Sequence, residues 1–107
     1  MVLRTGYINT KQLAPAVEKA IENVKRGKEV VHVRYNFDYD SGGDPALYFR
    51  IVLSDAASRE DTLWQVGRRI KAVLEAAVDP DEYVGLLTYF SFRSASENAQ
   101  RHDPEWV

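Results

Sequence analysis

Two stretches of alternating residues constrain this chain more than anything else in it. Val31, Val33, Tyr35 and Phe37 alternate with His32, Arg34 and Asn36, and Leu47, Phe49, Ile51 and Leu53 alternate with Tyr48, Arg50, Val52 and Ser54. A period of two is the mark of a strand that turns one face to a core. The first set in each stretch supplies that face. The second set mixes basic, aromatic and aliphatic groups, so it is neither a clean core nor an ordinary solvated surface, and it marks where a partner is expected.

The polar connector between the stretches, Asp38 to Pro45, holds Gly42 and Gly43, and a hairpin is the simplest link. Two registers are open to it. In one, Arg34 opposes Tyr48 and His32 opposes Arg50; a shift of two residues sets Arg34 against Arg50. Like charges directly opposed repel, which favours the first.

Helical periodicity flanks the hairpin. Leu13, Val17, Ala20, Ile21 and Val24 recur at helical spacing over residues 9–26, with Gly27 after Lys25 and Arg26 as the stop. Pro15 places the regular part from about Ala14, with 9–13 as a lead-in turn. Leu63, Val66, Ile70, Val73, Leu74 and Ala77 give a second helix, opened by Ser58 and Asp61 in capping-box spacing and closed by Asp79-Pro80-Asp81. A third strand is expected over 83–92, with Val84, Leu86, Thr88, Phe90 and Phe92 on one side and Tyr83, Gly85, Leu87, Tyr89 and Ser91 on the other. Ser94 and Glu97 repeat the capping spacing ahead of a short helix over 95–101.

The expected fold is therefore α+β, in the order α-β-β-α-β. A small antiparallel or mixed three-stranded sheet carries two helices on one face, with a short C-terminal helix after it. A chain of 107 residues can bury one core but not two, so residues 1–107 form one domain. The opposite sheet face then lacks a helical cover and holds His32, Arg34, Asn36, Tyr48, Arg50, Val52, Leu87 and Tyr89, with Arg93 at its end. One way to cover it is the C-terminal segment folding back, with Ala95, Ala99 and Trp106 on the sheet.

Several chemistries have little support. Asp38, Asp40 and Asp44 around two glycines invite a calcium loop, but the position of the bidentate glutamate falls on Phe49 within a strand. A solvated turn accounts for the same residues. His32 and His102 have no nucleophile or carboxylate at a catalytic spacing, so no enzyme is read here. Gly42-Gly43 precedes a strand rather than a helix and cannot cradle a phosphate at a helix N-terminus. No metal or cofactor is expected. Cysteine is absent, which excludes disulfides and a thiolate nucleophile and is compatible with a reducing cytoplasm. No apolar run approaches the roughly 20 residues of a membrane span, and Met1 to Tyr7 lack the apolar stretch of an export signal.

Two resemblances add to this reading. The order of elements, with Gly67 inside Val66-Gly-Arg-Arg-Ile70, resembles the KH-type arrangement of ribosome-binding factor A, in which an interrupted helix replaces the phosphate-clamping loop. That resemblance implies an RNA- or ribosome-associated role; the chain carries no Gly-x-x-Gly, and a glycine in a helix also serves as a close-packing point. The stretch Gly43-Asp-Pro-Ala-Leu-Tyr-Phe-Arg-Ile-Val-Leu-Ser-Asp55, with Tyr89-Phe-Ser-Phe-Arg-Ser94, is similar to small uncharacterised bacterial proteins and brings no functional residues with it.

The function expected is a non-enzymatic, cytoplasmic protein-interaction or self-association module, a homodimer or a complex with another protein. Its contacts are Arg34, Tyr48, Arg50 and Tyr89 around an apolar centre of Val52 and Leu87. The alternative is a small RNA-associated accessory protein using Arg34, Arg50, Arg68 and Arg69. Sixteen acidic against fourteen basic residues leave a net charge of −2, which favours protein over nucleic acid as the partner.

Overall fold

A computed structural model describes residues 10–78, 83 and 85–106. The lead-in at Asn9, the Asp79-Pro80-Asp81 stop and Val84 lie outside the described residues. The elements run α1 (Thr10–Lys25), β1 (Val30–Tyr39), β2 (Pro45–Leu53), α2 (Glu60–Ala76), β3 (Leu87–Ser94), α3 (Ala95–Gln100) and a closing 3-10 turn (Pro104–Trp106). The expected α-β-β-α-β order holds. The sheet order is β1-β2-β3, with β1 antiparallel and β3 parallel to the central β2, so the sheet is mixed.

A parallel strand after β2 requires a crossover, and α2 supplies it. α1 and α2 pack against each other and over one sheet face, closing a core of Leu13, Val17 and Val24 with Val33, Leu47, Phe49, Ile51 and Leu53, and with Ile70 and Leu74 from α2. Central β2 is buried along most of its length, because helices lie on one face and part of the other is also covered.

Four local expectations are corrected. α1 begins at Thr10 and runs through Pro15, which is exposed in its second turn. An interior proline costs roughly 3 kcal/mol, whereas each fully buried Leu or Val side chain returns about 1.5–3 kcal/mol. Leu13, Val17 and Val24 are all buried, so docking outweighs the proline. In β1 the register shifts between Val30 and His32, and Val30 rather than Val31 enters the core. The bulge adds one residue and reverses the alternation before it. At α2 the N-cap is Arg59, with no side-chain cap, because the Ser58 hydroxyl donates instead to the Ser54 carbonyl at 2.9 Å. Glu60 and Asp61 in the first turn still oppose the helix dipole favourably. The third strand starts four residues later than expected, at Leu87, while α2 continues unbroken through Gly67.

Candidate interaction surface

The sheet register arranges the second face in rows: His32, Val52 and Arg93; Arg34, Arg50 and Ser91; Asn36, Tyr48 and Tyr89; Asp38, Ala46 and Leu87. All six contact residues expected from the sequence stand on this one face. Arg34 is opposite Arg50, the register that charge repulsion disfavours. The two guanidinium groups avoid each other by turning apart. Arg50 donates to the Asn36 side chain and lies 5.8 Å from the Tyr48 ring centre, while Arg34 donates to the Pro104 carbonyl at 3.3 Å. A long side chain can carry its charge far from its own Cα, so the position of the Cα pair did not decide the register.

The C-terminal segment divides the face in two. The Ser94 hydroxyl accepts from the Glu97 amide at 3.0 Å and caps α3, as its spacing predicts. The Asp55 carboxylate, just beyond β2, accepts from both the amide and the hydroxyl of Ser96, and those bonds hold its carboxyl below the usual aspartate range. The chain then turns back, and buried Arg93 takes its charge partner from it, donating to Asp103 at 2.5 Å. Its guanidinium lies 4.1 Å from the centre of the Trp106 ring, close enough for a strong cation–π contact. Trp106 is itself buried, and so is Val52, the register neighbour of Arg93. Val52 is thus not open to a partner in this arrangement. Of the tail alanines, Ala95 is half-buried, whereas Ala99 points to solvent and takes no part in covering the sheet.

Beyond Arg50 the face stays open. Tyr48 and Tyr89 stack at 5.1 Å between ring centres and 17° between planes. The Tyr89 hydroxyl donates to Asp40 at 2.9 Å, which raises the phenol's pKa and lowers the carboxyl's. Asp40 also accepts from the Gly42 and Asp44 amides at 3.0 Å each. Its oxygens therefore organise the hairpin turn that Gly43 completes at φ +86°. Leu87 and Tyr89 remain 40% and 41% exposed.

His32 sits at the covered end. Its Nε2 is buried without a hydrogen-bond partner among the described residues, and burial, with Lys25 and Arg34 nearby, pushes the imidazole pKa below 6.5.

Sequence reasoning missed Asp40, Asp55 and Asp103 as organisers of this face. Asp40 beside two glycines carried the signal of a turn; Asp55 and Asp103 carried none, because their partners Ser96 and Arg93 are fixed only by the tail's path. Neither a family model nor a curated protein matches the chain.

Proposed function

We propose that this chain works by binding protein rather than by catalysis, as a cytoplasmic module that associates with itself or with another protein. The observation that carries the reading is the open half of the second sheet face. There Leu87 and Tyr89 stay half-exposed beside Tyr48 and Arg50, in a patch already held in place by ring stacking and by the Tyr89–Asp40 hydrogen bond. Ordered aromatic and arginine side chains lose little freedom on binding, and they are the residues that dominate protein interfaces.

Two features weigh the patch toward protein. Nucleic-acid platforms offer free ring faces to bases, but Tyr48 and Tyr89 cover one face of each other. Arg50 is also hydrogen-bonded to Asn36 beside the Tyr48 ring, so contacting a phosphate would mean giving up that bond. His32, with its Nε2 occluded and cations around it, is poorly placed as a general base.

The deciding experiment is the solution mass across a concentration series, run beside RNA retention at rising salt. Mass that grows with concentration and falls in Tyr48→Ala/Tyr89→Ala supports the reading. A constant monomer with salt-sensitive RNA binding replaces it with the RNA-associated alternative.

A further inference from the structure

β1 and β3 both lie at the edge of the sheet, and they are built differently. β1 carries a bulge and, along its length, Arg34 and Asp38, features that discourage another strand from pairing. β3 has neither device. Its sequence is Leu-Thr-Tyr-Phe-Ser-Phe-Arg-Ser, and its one charge, Arg93, is taken up by Asp103 and Trp106. Two aromatic stacks cross from β2 onto β3 and end at this edge: Tyr48 on Tyr89 on one face, and Phe49 on Phe90 at 5.2 Å and 8° on the other. Among the described residues no strand pairs beyond it.

α2 tracks β3 in the opposite direction. A Cβ on Gly67 would stand 3.8 Å from the Phe92 ring, Lys71 lies over Phe90 at 5.7 Å, and Glu75 shares a pocket wall with Thr88. The same helical stripe, one turn before Gly67, brings Trp64, whose ring is flanked by Arg68 at 5.7 Å. Trp64 is 70% exposed, the largest exposed fraction among the big apolar side chains of the described residues. At the other end of the stripe is a pocket of about 280 Å³ lined by Glu75, Val78, Tyr83, Gly85, Leu86 and Thr88.

We propose that two copies of this chain pair through β3, antiparallel about a two-fold axis at Phe90, with Trp64 of each copy seated in the other's pocket at Val78, Tyr83 and Leu86. The inference rests on the self-association part of the reading above, names a second copy as the partner, and sets the contact along the β3 edge and α2 rather than on the open sheet face. Two-fold pairing centred on Phe90 sets Thr88 opposite Phe92, and Leu86 opposite Ser94, of the second copy. Because α2 follows β3, Glu75 travels with Thr88, and Arg68 travels with Gly67 above Phe92. Each Arg68 therefore meets Glu75 of the other copy. Trp64, one turn further toward Ser94, meets the pocket beside Leu86. A knob and a hole and an opposite-charge pair are thus each used twice, as an interface between identical surfaces requires. Sliding the strands by two residues would carry Trp64 about a helical turn away from the pocket.

Sedimentation velocity on the full chain, over a concentration series, tests this. The expected mass rises from 12.2 kDa to twice that value, and Trp64 emission shifts to the blue as the dimer forms. Trp64→Ala and Arg68→Glu, both at exposed positions, should each weaken the dimer about tenfold or more, with circular dichroism reporting an intact fold. Arg68→Glu combined with Glu75→Arg should restore it. A dimer indifferent to Trp64→Ala and to Arg68→Glu alone, yet dissolved by Tyr48→Ala/Tyr89→Ala, overturns this geometry and leaves association through the open face standing. A monomer at every concentration overturns both the geometry and self-association.

Discussion

At one end of the second sheet face Val52 is 2% exposed and Arg93 8%; at the other, two strand positions or more away, Leu87 and Tyr89 are near 40%. Both ends combine an arginine, an aromatic ring and an aliphatic side chain. What separates them is the source of the ring and of the counter-charge. Arg93 obtains Trp106 and Asp103 from the tail that follows its own strand. Tyr89 obtains Tyr48 from the neighbouring strand and Asp40 from the hairpin turn, and nothing described lies above them. The same mixture of residue types therefore becomes core where the chain returns over it and contact surface where it does not.

The largest test of this contrast is removal of the cover. Trp106→Ala deletes the ring that buries Arg93 and should cost about 3 kcal/mol, the lower end for a buried tryptophan, since its pocket opens to solvent and can refill. Urea unfolding reads the loss. A change near zero would mean that the tail merely rests on the sheet, and the two halves would then be equivalent.

Next in size is a matched pair of truncations in the sheet itself. Val52→Ala removes methyl groups from a filled site and should cost about 2 kcal/mol, whereas Leu87→Ala on the open half should stay within about 0.5 kcal/mol. Equal costs would break the distinction.

How much of this division could be read in the sequence follows from where its causes lie. The alternation at Val33–Tyr35–Phe37 and Leu47–Phe49–Ile51 is written in neighbouring residues, and it placed these two strands and set Arg34, Tyr48, Arg50 and Val52 on one face. The capping spacing of Ser94 and Glu97 is equally local, and α3 follows it. Val31 and the hairpin register went wrong because a bulge and the divergence of two arginine side chains depend on what each side chain finds in three dimensions. The split of the face was legible only as one option, the tail folding back with Trp106, and not in its extent. It depends on Arg93 meeting residues ten and thirteen positions later along a path that no periodicity marks.

Acid should act on the covered half before the open half loses its stacking. His32 has a folded-state pKa below 6.5, so the unfolded chain binds its proton more readily, and stability present above pH 6.5 declines as pH falls toward the folded value. Asp103 is held below 3.8 chiefly by the Arg93 hydrogen bond, so its contribution is present above that value and is lost as pH falls through the folded pKa. Asp103 belongs to the tail, and His32 stands in the same row as Val52 and Arg93, at the covered end of the face. In a Trp64→Phe background Trp106 is the sole tryptophan, and its emission should shift to the red in two acid steps. His32→Gln should remove the first step, and Asp103→Asn should flatten the second. An unchanged profile in either variant would detach that residue from the tail's docking.

The smallest effect on stability belongs to the open half, and it is the one that carries the functional reading. Tyr89 is 41% exposed and its hydroxyl bonds to a solvent-exposed carboxylate, so Tyr89→Phe removes a hydrogen bond that water readily replaces. The urea midpoint should stay close to that of the unaltered chain. The ring stack on Tyr48 persists in this variant, but Asp40 loses one of the donors that keep its carboxyl ionised, and its pKa should rise toward 3.8, measurable by NMR titration. If the midpoint instead fell as far as in Val52→Ala, the open half would be part of the folding core, and its exposed rings would be explained by stability rather than by a partner.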